Sequence, residues 1–106
     1  IVLEAQMITC RAAIPGITGQ YLDNTAREFI ISKGYGDYFI HGLGHGVGLD
    51  IHEKPMIISS SQDILDVGSV FTLEPGIYIP DWGGVRIEDI FIMEENGPKR
   101  LSRAPK

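Results

Sequence analysis

Two glutamates and three histidines carry the chemistry open to this sequence. Glu74 lies in FTLEPGIY and Glu88 in VRIEDI. Both runs, Ser69–Ile79 and Val85–Glu94, are rich in β-branched residues and read as strands, and Pro80-Asp81-Trp82-Gly83-Gly84 between them is a turn cluster. An antiparallel hairpin turning about residue 81 sets Glu74 opposite Glu88, and a slip of the pairing by two still leaves both on one face. Like charges facing each other across a ladder repel, and a bare carboxylate is costly to bury. The pair therefore calls for a bound cation, a shared proton or arginine partners, unless both glutamates face solvent on the wet side of a half-exposed hairpin. Arg86 precedes Glu88 by two positions, points the same way on a strand, and is a candidate partner that supports its carboxylate from behind.

His41, His45 and His52 fall within twelve residues, in HGLGHGVGLDIHE, where glycines alternate at 42, 44, 46 and 48. A helix through four glycines loses roughly 1 kcal/mol at each relative to alanine. Extended or looping backbone, closely approached by something else, is the better expectation. Imidazoles beside a carboxylate pair form a metal-site constellation suited to Mn, Fe, Co or Zn. With Cys10 as the single cysteine, a thiolate zinc knot and an intrachain disulfide are both excluded. Two rival motifs fail: GLGHGVG has the wrong glycine offsets and no following helix for a dinucleotide loop, and Pro55 breaks the helix that an HExxH zinc motif at His52-Glu53 needs.

The elements that must position these groups are ordinary. Residues 1–13 lack Gly and Pro, with apolar residues recurring at Ile1, Ala5, Ile8 and Ala12, which predicts a helix ended by Pro15-Gly16. Thr18 caps a second helix running to about Lys33, with Leu22, Ala26, Phe29 and Ile30 as its buried stripe and Gly34 as its stop. Cys10, inside the first helical pattern, reads as a core residue. Tyr38, Phe39 and Ile40 read as a short strand, Asp66-Val67-Gly68 as a turn, and the residues after Glu95 as a tail with a Gly97-Pro98 turn. Helix, helix, then strands is an α+β order.

The chain has 106 residues, 43% of them hydrophobic, which allows one core and one domain spanning 1–106. Its net charge of -5 disfavours nucleic acid as a partner. No apolar run approaches the ~20 residues of a membrane span. A single cysteine fits a cytoplasmic setting. The first residue is Ile1, inside a helical pattern, and the expectation is a truncated piece of a longer protein.

Three segments together resemble the pita-bread metallopeptidases. His41 to Pro55, HGLGHGVGLDIHEKP, is similar to their GHGIGLxxHExP stretch, Thr72 to Tyr78 to TIEPGIY, and Val85 to Asp89 to VRIED; the upstream PGITGQYLDNTAREFIISKGYGDYF resembles the helical region before the first motif. The resemblance covers nearly the whole chain, and the last two motifs favour the Xaa-Pro dipeptidase (prolidase) and aminopeptidase P branch over methionine aminopeptidases. It implies half of a pita-bread fold, two helices followed by a curved antiparallel sheet. It further implies metal-dependent hydrolysis of Xaa-Pro bonds in a dipeptide or longer peptide, with two divalent ions in the complete enzyme. By the same resemblance His45, Glu74 and Glu88 are metal ligands, Glu88 bridges the ions, and Glu74 also shuttles a proton. His41 helps hold the substrate or the tetrahedral intermediate, and His52 contacts the scissile peptide or donates a proton. The family's two aspartate ligands have no match here, so the 106-residue piece is expected to be inactive alone and the complete protein to be an active homodimer. The alternatives are a methionine aminopeptidase, or a non-catalytic relative that uses the fold to bind partners.

Overall fold

The computed structural model describes residues 1–47 and 54–102. Helix α1 spans Val2–Ala12 and α2 spans Gly19–Ser32, followed by a 3₁₀ turn at Gly36–Tyr38. The strands are short: β1 (Ile17–Thr18), β2 (Gly44–His45), β3 (Met56–Ile57), β4 (Ile64–Leu65), β5 (Val70–Leu73), β6 (Gly76–Ile79), β7 (Gly83–Arg86), β8 (Asp89–Glu94) and β9 (Gly97–Arg100). The class is α+β, as the element order implied.

Both ends of α2 follow from sequence. The Thr18 hydroxyl accepts the Tyr21 N–H at 3.1 Å, satisfying one of the donors a helix start leaves unpaired. At the other end Gly34 adopts φ +88°. The Tyr35 N–H then returns to the Ile30 carbonyl and the Gly34 N–H to that of Ile31, a Schellman stop.

Helix α1 forms where expected but turns a different face inward. Its buried residues are Val2, Ala5, Gln6 and Thr9, while Ile1 remains 48% exposed. The rotation is compatible with two buried polar side chains because both find acceptors: Gln6 Nε2 donates to the Leu73 carbonyl at 3.1 Å and the Thr9 hydroxyl to the Ala5 carbonyl at 2.6 Å.

The sheet is antiparallel. Strand β5 pairs with β8, β8 with β9, and β2 with β3, while an isolated bridge between Gly46 and Phe71 lays β2 beside β5. Burial along β8 alternates, with Asp89, Phe91 and Met93 inside. Those residues share a face with Phe71 and Leu73 of β5 by register, and that face meets Val2, Ala5, Leu22, Ala26 and Ile30 of the helices in one core cluster. The helices thus cover one face of the sheet. Each fully buried Leu, Ile or Phe there contributes about 1.5–3 kcal/mol of transfer free energy.

Three expectations need correction. Residues 38–40 form no strand: the 3₁₀ turn ends at Tyr38 and the carbonyls of Phe39 and His41 are taken by the Arg27 side chain instead of a ladder partner. The two long strands are each broken in two, between Leu73 and Gly76 and between Arg86 and Asp89. Pro75 lacks the N–H a ladder needs. The stretch after Glu95 is more than a tail, since Gly97–Arg100 folds back as β9 across a two-residue turn at Glu95 and Asn96. Pro98 is tolerated there because β9 is an edge strand.

Candidate metal centre

The register that turns at residue 81 holds through the break. Thr72 pairs with Ile90 and Gly76 with Arg86, so Glu74 and Glu88 stand opposite each other in the interval between the two ladders. Across that interval the Ile87 N–H donates to the Pro75 carbonyl at 3.2 Å, which keeps the strands together. Alternation puts both glutamates with Thr72 and Ile90, on the sheet face away from the helices.

Strand β2 brings histidine to the same face. The Glu74 N–H donates to the Leu43 carbonyl at 2.7 Å, and the His45 N–H donates to the Thr72 hydroxyl at 3.1 Å. The glycine alternation has its reason here: a Cβ on Gly44 would collide with the Thr72 carbonyl, so β2 can lie this close to β5 only without a side chain at that position.

The His45 ring is oriented by its own backbone. Nδ1 lies 2.8 Å from the Gly46 carbonyl oxygen, and a carbonyl only accepts, so Nδ1 carries the proton. The Nε2 edge faces Glu74 Oε2 at 3.8 Å. That oxygen is buried and has no hydrogen-bond partner among the described residues. An imidazole whose second nitrogen donates to a carbonyl is the usual arrangement of a metal-bound histidine. Donors 3.8 Å apart can both reach a cation at bond lengths of about 2.0–2.2 Å. These two side chains therefore fit a divalent metal.

Glu88 is less committed. It is exposed and its Oε1 lies 3.5 Å from Arg86 Nε, in a pair with side chains 52% and 42% exposed, a contact worth little by itself. Among the described residues no group of three His, Cys, Asp or Glu side chains is gathered closely enough to hold an ion. The site on this chain is two converged donors, His45 and Glu74, with Glu88 in register beside them.

His41 lies in the same cavity. Its Nδ1 is 2.7 Å from the Gly42 carbonyl oxygen, and its Nε2 is 3.0 Å from the Tyr78 hydroxyl. With Nδ1 protonated, Nε2 of the neutral ring accepts the Tyr78 O–H. Phe39 packs edge-on to the ring at 5.3 Å. The cavity, about 410 Å³, is lined by His41, His45, Glu74, Met56, Ile58 and two glycines. His52 lies outside the described residues.

Sequence reasoning missed Thr72, Tyr78 and the Asp23–Arg27 pair, all of which hold the histidine segment. The acid and base four residues apart on α2 were a readable signal. Thr72 and Tyr78 carried none, because their partners lie 27 and 37 residues away.

A helix-backed antiparallel sheet with a histidine and a glutamate converged on its open face fits the class of pita-bread metallopeptidases. The chain belongs to metallopeptidase family M24, whose model matches residues 1–95. It is 58% identical over 106 residues to the Xaa-Pro dipeptidase of Pyrococcus furiosus, spanning 100% of this chain and 30% of that protein. The solved prolidase from Pyrococcus furiosus superposes with a TM-score of 0.94 at 57% identity, over 99% of this chain and 31% of that one. X-prolyl aminopeptidase from Caenorhabditis elegans, described as a cytosolic enzyme with a di-nuclear active site, superposes at 0.73 with 38% identity over 86% of this chain and 15% of its own. The fold is the pita-bread fold of these peptidases, and the chain spans about 30% of the length of the curated relatives it matches.

Proposed function

We propose that the complete protein carrying this chain is an Xaa-Pro metallopeptidase, and that His45, Glu74 and Glu88 are this chain's share of a dinuclear metal site. The observation that carries the reading is the His45–Glu74 pair: an imidazole proton fixed on the Gly46 carbonyl, and a buried carboxylate oxygen facing the other ring nitrogen at 3.8 Å. The relatives named above, a dipeptidase and an X-prolyl aminopeptidase, support the substrate class. Bound divalent ions would supply an activated water and polarise the scissile carbonyl.

The chain's own residues have separable tasks in this reading. His45 and Glu74 bind metal, and Glu88 reaches the same centre once Arg86 and the remaining ligands of the complete protein fix it. Glu74 also accepts the proton of the attacking water and passes it to the leaving amine. His41, placed by Tyr78, helps hold the substrate or the tetrahedral intermediate, and His52 contacts the scissile peptide or donates a proton to it. Imidazole and carboxylate donors favour Mn, Co, Fe or Zn over Ca or Mg. The remaining ligands come from elsewhere in a complete, homodimeric protein, so the 106-residue chain by itself is inactive. A cytoplasmic location accords with the cytosolic relative; among the described residues no helix is long and apolar enough to cross a membrane.

The test is hydrolysis of Ala-Pro, and of a tripeptide with proline second, by the complete protein after chelation and after adding back Mn or Co, with the 106-residue chain in parallel. Metal-restored activity in the complete protein alone is the expected result, and the dipeptide-to-tripeptide ratio separates the dipeptidase from the aminopeptidase. No hydrolysis and no bound metal in the complete protein would sink the reading in favour of a non-catalytic binding role.

A further inference from the structure

We infer that the Asp23–Arg27 ion pair of α2 is a positioning device for the two histidines of the site, acting through the backbone of residues 39–43; the inference rests on the function proposed above. Asp23 has no exposed side-chain surface, and Arg27 meets it with both edges of its fork, Nε to Oδ1 at 2.9 Å and Nη2 to Oδ2 at 3.2 Å. The same guanidinium donates to the Phe39 carbonyl at 2.8 Å and to the His41 carbonyl at 2.9 Å. Asp23 Oδ2 accepts the Leu43 N–H at 3.1 Å. One ion pair thus holds three alternate residues of the segment, with His41 among them and His45 two residues beyond.

The spacing reads register. The fork holds the carbonyls of residues 39 and 41 while Asp23 holds the N–H of residue 43, so a shift of the segment by one residue breaks all three contacts. Such a slip would also carry His41 and His45 out of the positions in which they line one cavity with Glu74. The Arg27 guanidinium also lies 4.2 Å from the Phe39 ring centroid, which fixes its plane. A lysine could reach one acceptor but has no rigid fork to hold two carbonyls and a carboxylate together. As a stability device the arrangement would be a poor choice, since apolar residues of similar volume commonly replace a buried ion pair without loss. What such residues cannot do is bind alternate backbone groups.

That contrast supplies the test. In the complete protein, Asp23→Leu/Arg27→Met removes the pair while keeping apolar packing, Arg27→Lys keeps the charge without the fork, and Ile30→Val on the same helix is the stability control. Melting temperature, Mn(II) affinity by calorimetry and the visible spectrum of the Co(II) form are measured for each. The double variant and Arg27→Lys are expected to bind Mn(II) about 10- to 100-fold more weakly, as losses of supporting hydrogen bonds around metal ligands do. Both should show an altered Co(II) spectrum, while Ile30→Val lowers only the melting temperature. Wild-type affinity and spectrum in either variant would overturn the inference, and Arg27→Lys decides it should the double variant not fold. A wild-type protein that binds no metal would overturn the functional reading and this inference with it. Metal binding indifferent to Arg27 would overturn this inference alone.

Discussion

His45 Nε2 on β2 and Glu74 Oε2, one residue beyond the end of β5, face each other at 3.8 Å, with the carboxylate oxygen buried and unbonded among the described residues. The gap is too wide for a hydrogen bond and of a size for a cation. Glu74→Gln should therefore act in opposite directions on two measurements. In the proposed reading it removes a ligand and a proton carrier, so kcat of the complete protein should fall by roughly 10²–10⁴-fold, the usual worth of a general acid–base group. It also removes one of two like charges facing across the strands, so the metal-free form should gain a few tenths to about 1 kcal/mol of stability. Chemical denaturation of the chelated protein reads the second effect, and a stability loss there would show that Glu74 is satisfied without metal.

Tyr78 donates to His41 Nε2 at 3.0 Å. Tyr78→Phe leaves the ring in place and deletes the donor, a change worth about 0.5–1.5 kcal/mol. The expected result is a roughly 2- to 12-fold fall in kcat/KM with unchanged metal affinity. Weakened metal binding in this variant would place Tyr78 in the support of His45 as well.

Thr72 is buried and its hydroxyl accepts the His45 N–H. Thr72→Val keeps the shape and strands that N–H, at a cost of about 1–3 kcal/mol. The urea midpoint should drop accordingly. An unchanged midpoint would mean that water reaches the β2–β5 seam.

Gly44→Ala places a methyl group against the Thr72 carbonyl. Backbone cannot give way as a side-chain tip can, so β2 must move off β5, at about 1–3 kcal/mol for overpacking and more if the seam opens. Metal affinity should fall along with stability, because the displaced strand carries His45. A variant with reduced stability and wild-type metal affinity would show that the seam can yield without moving the histidine.

Much of this was legible in local pattern. The Thr18 cap and the Gly34 stop follow from dihedral preferences and from donors that a helix end must satisfy within a few residues. The turn at residue 81 could be placed because Pro, Asp and Gly cluster there, and the turn alone sets which residues face each other. The breaks beside Glu74 and Glu88 could not be read, since a run of strand-forming residues looks continuous even where a proline interrupts the ladder. Strand β9 was lost to a Pro98 that an edge strand accommodates, and the buried face of α1 was misread because Gln6 and Thr9 look like surface residues until their acceptors are known.

By itself the sequence determined the class of fold and the register that sets Glu74 opposite Glu88, because these depend on periodicity, turn chemistry and residue type close along the chain, and its three motifs carried the resemblance to the family. Only the tertiary structure decided that His45 meets Glu74 across a seam made possible by Gly44, that Tyr78 orients His41, and that Asp23 and Arg27 hold the histidine segment. Those relations join residues far apart in sequence, and which of them form depends on how strands and helices pack, where apolar burial and the satisfaction of every buried polar group must be met together.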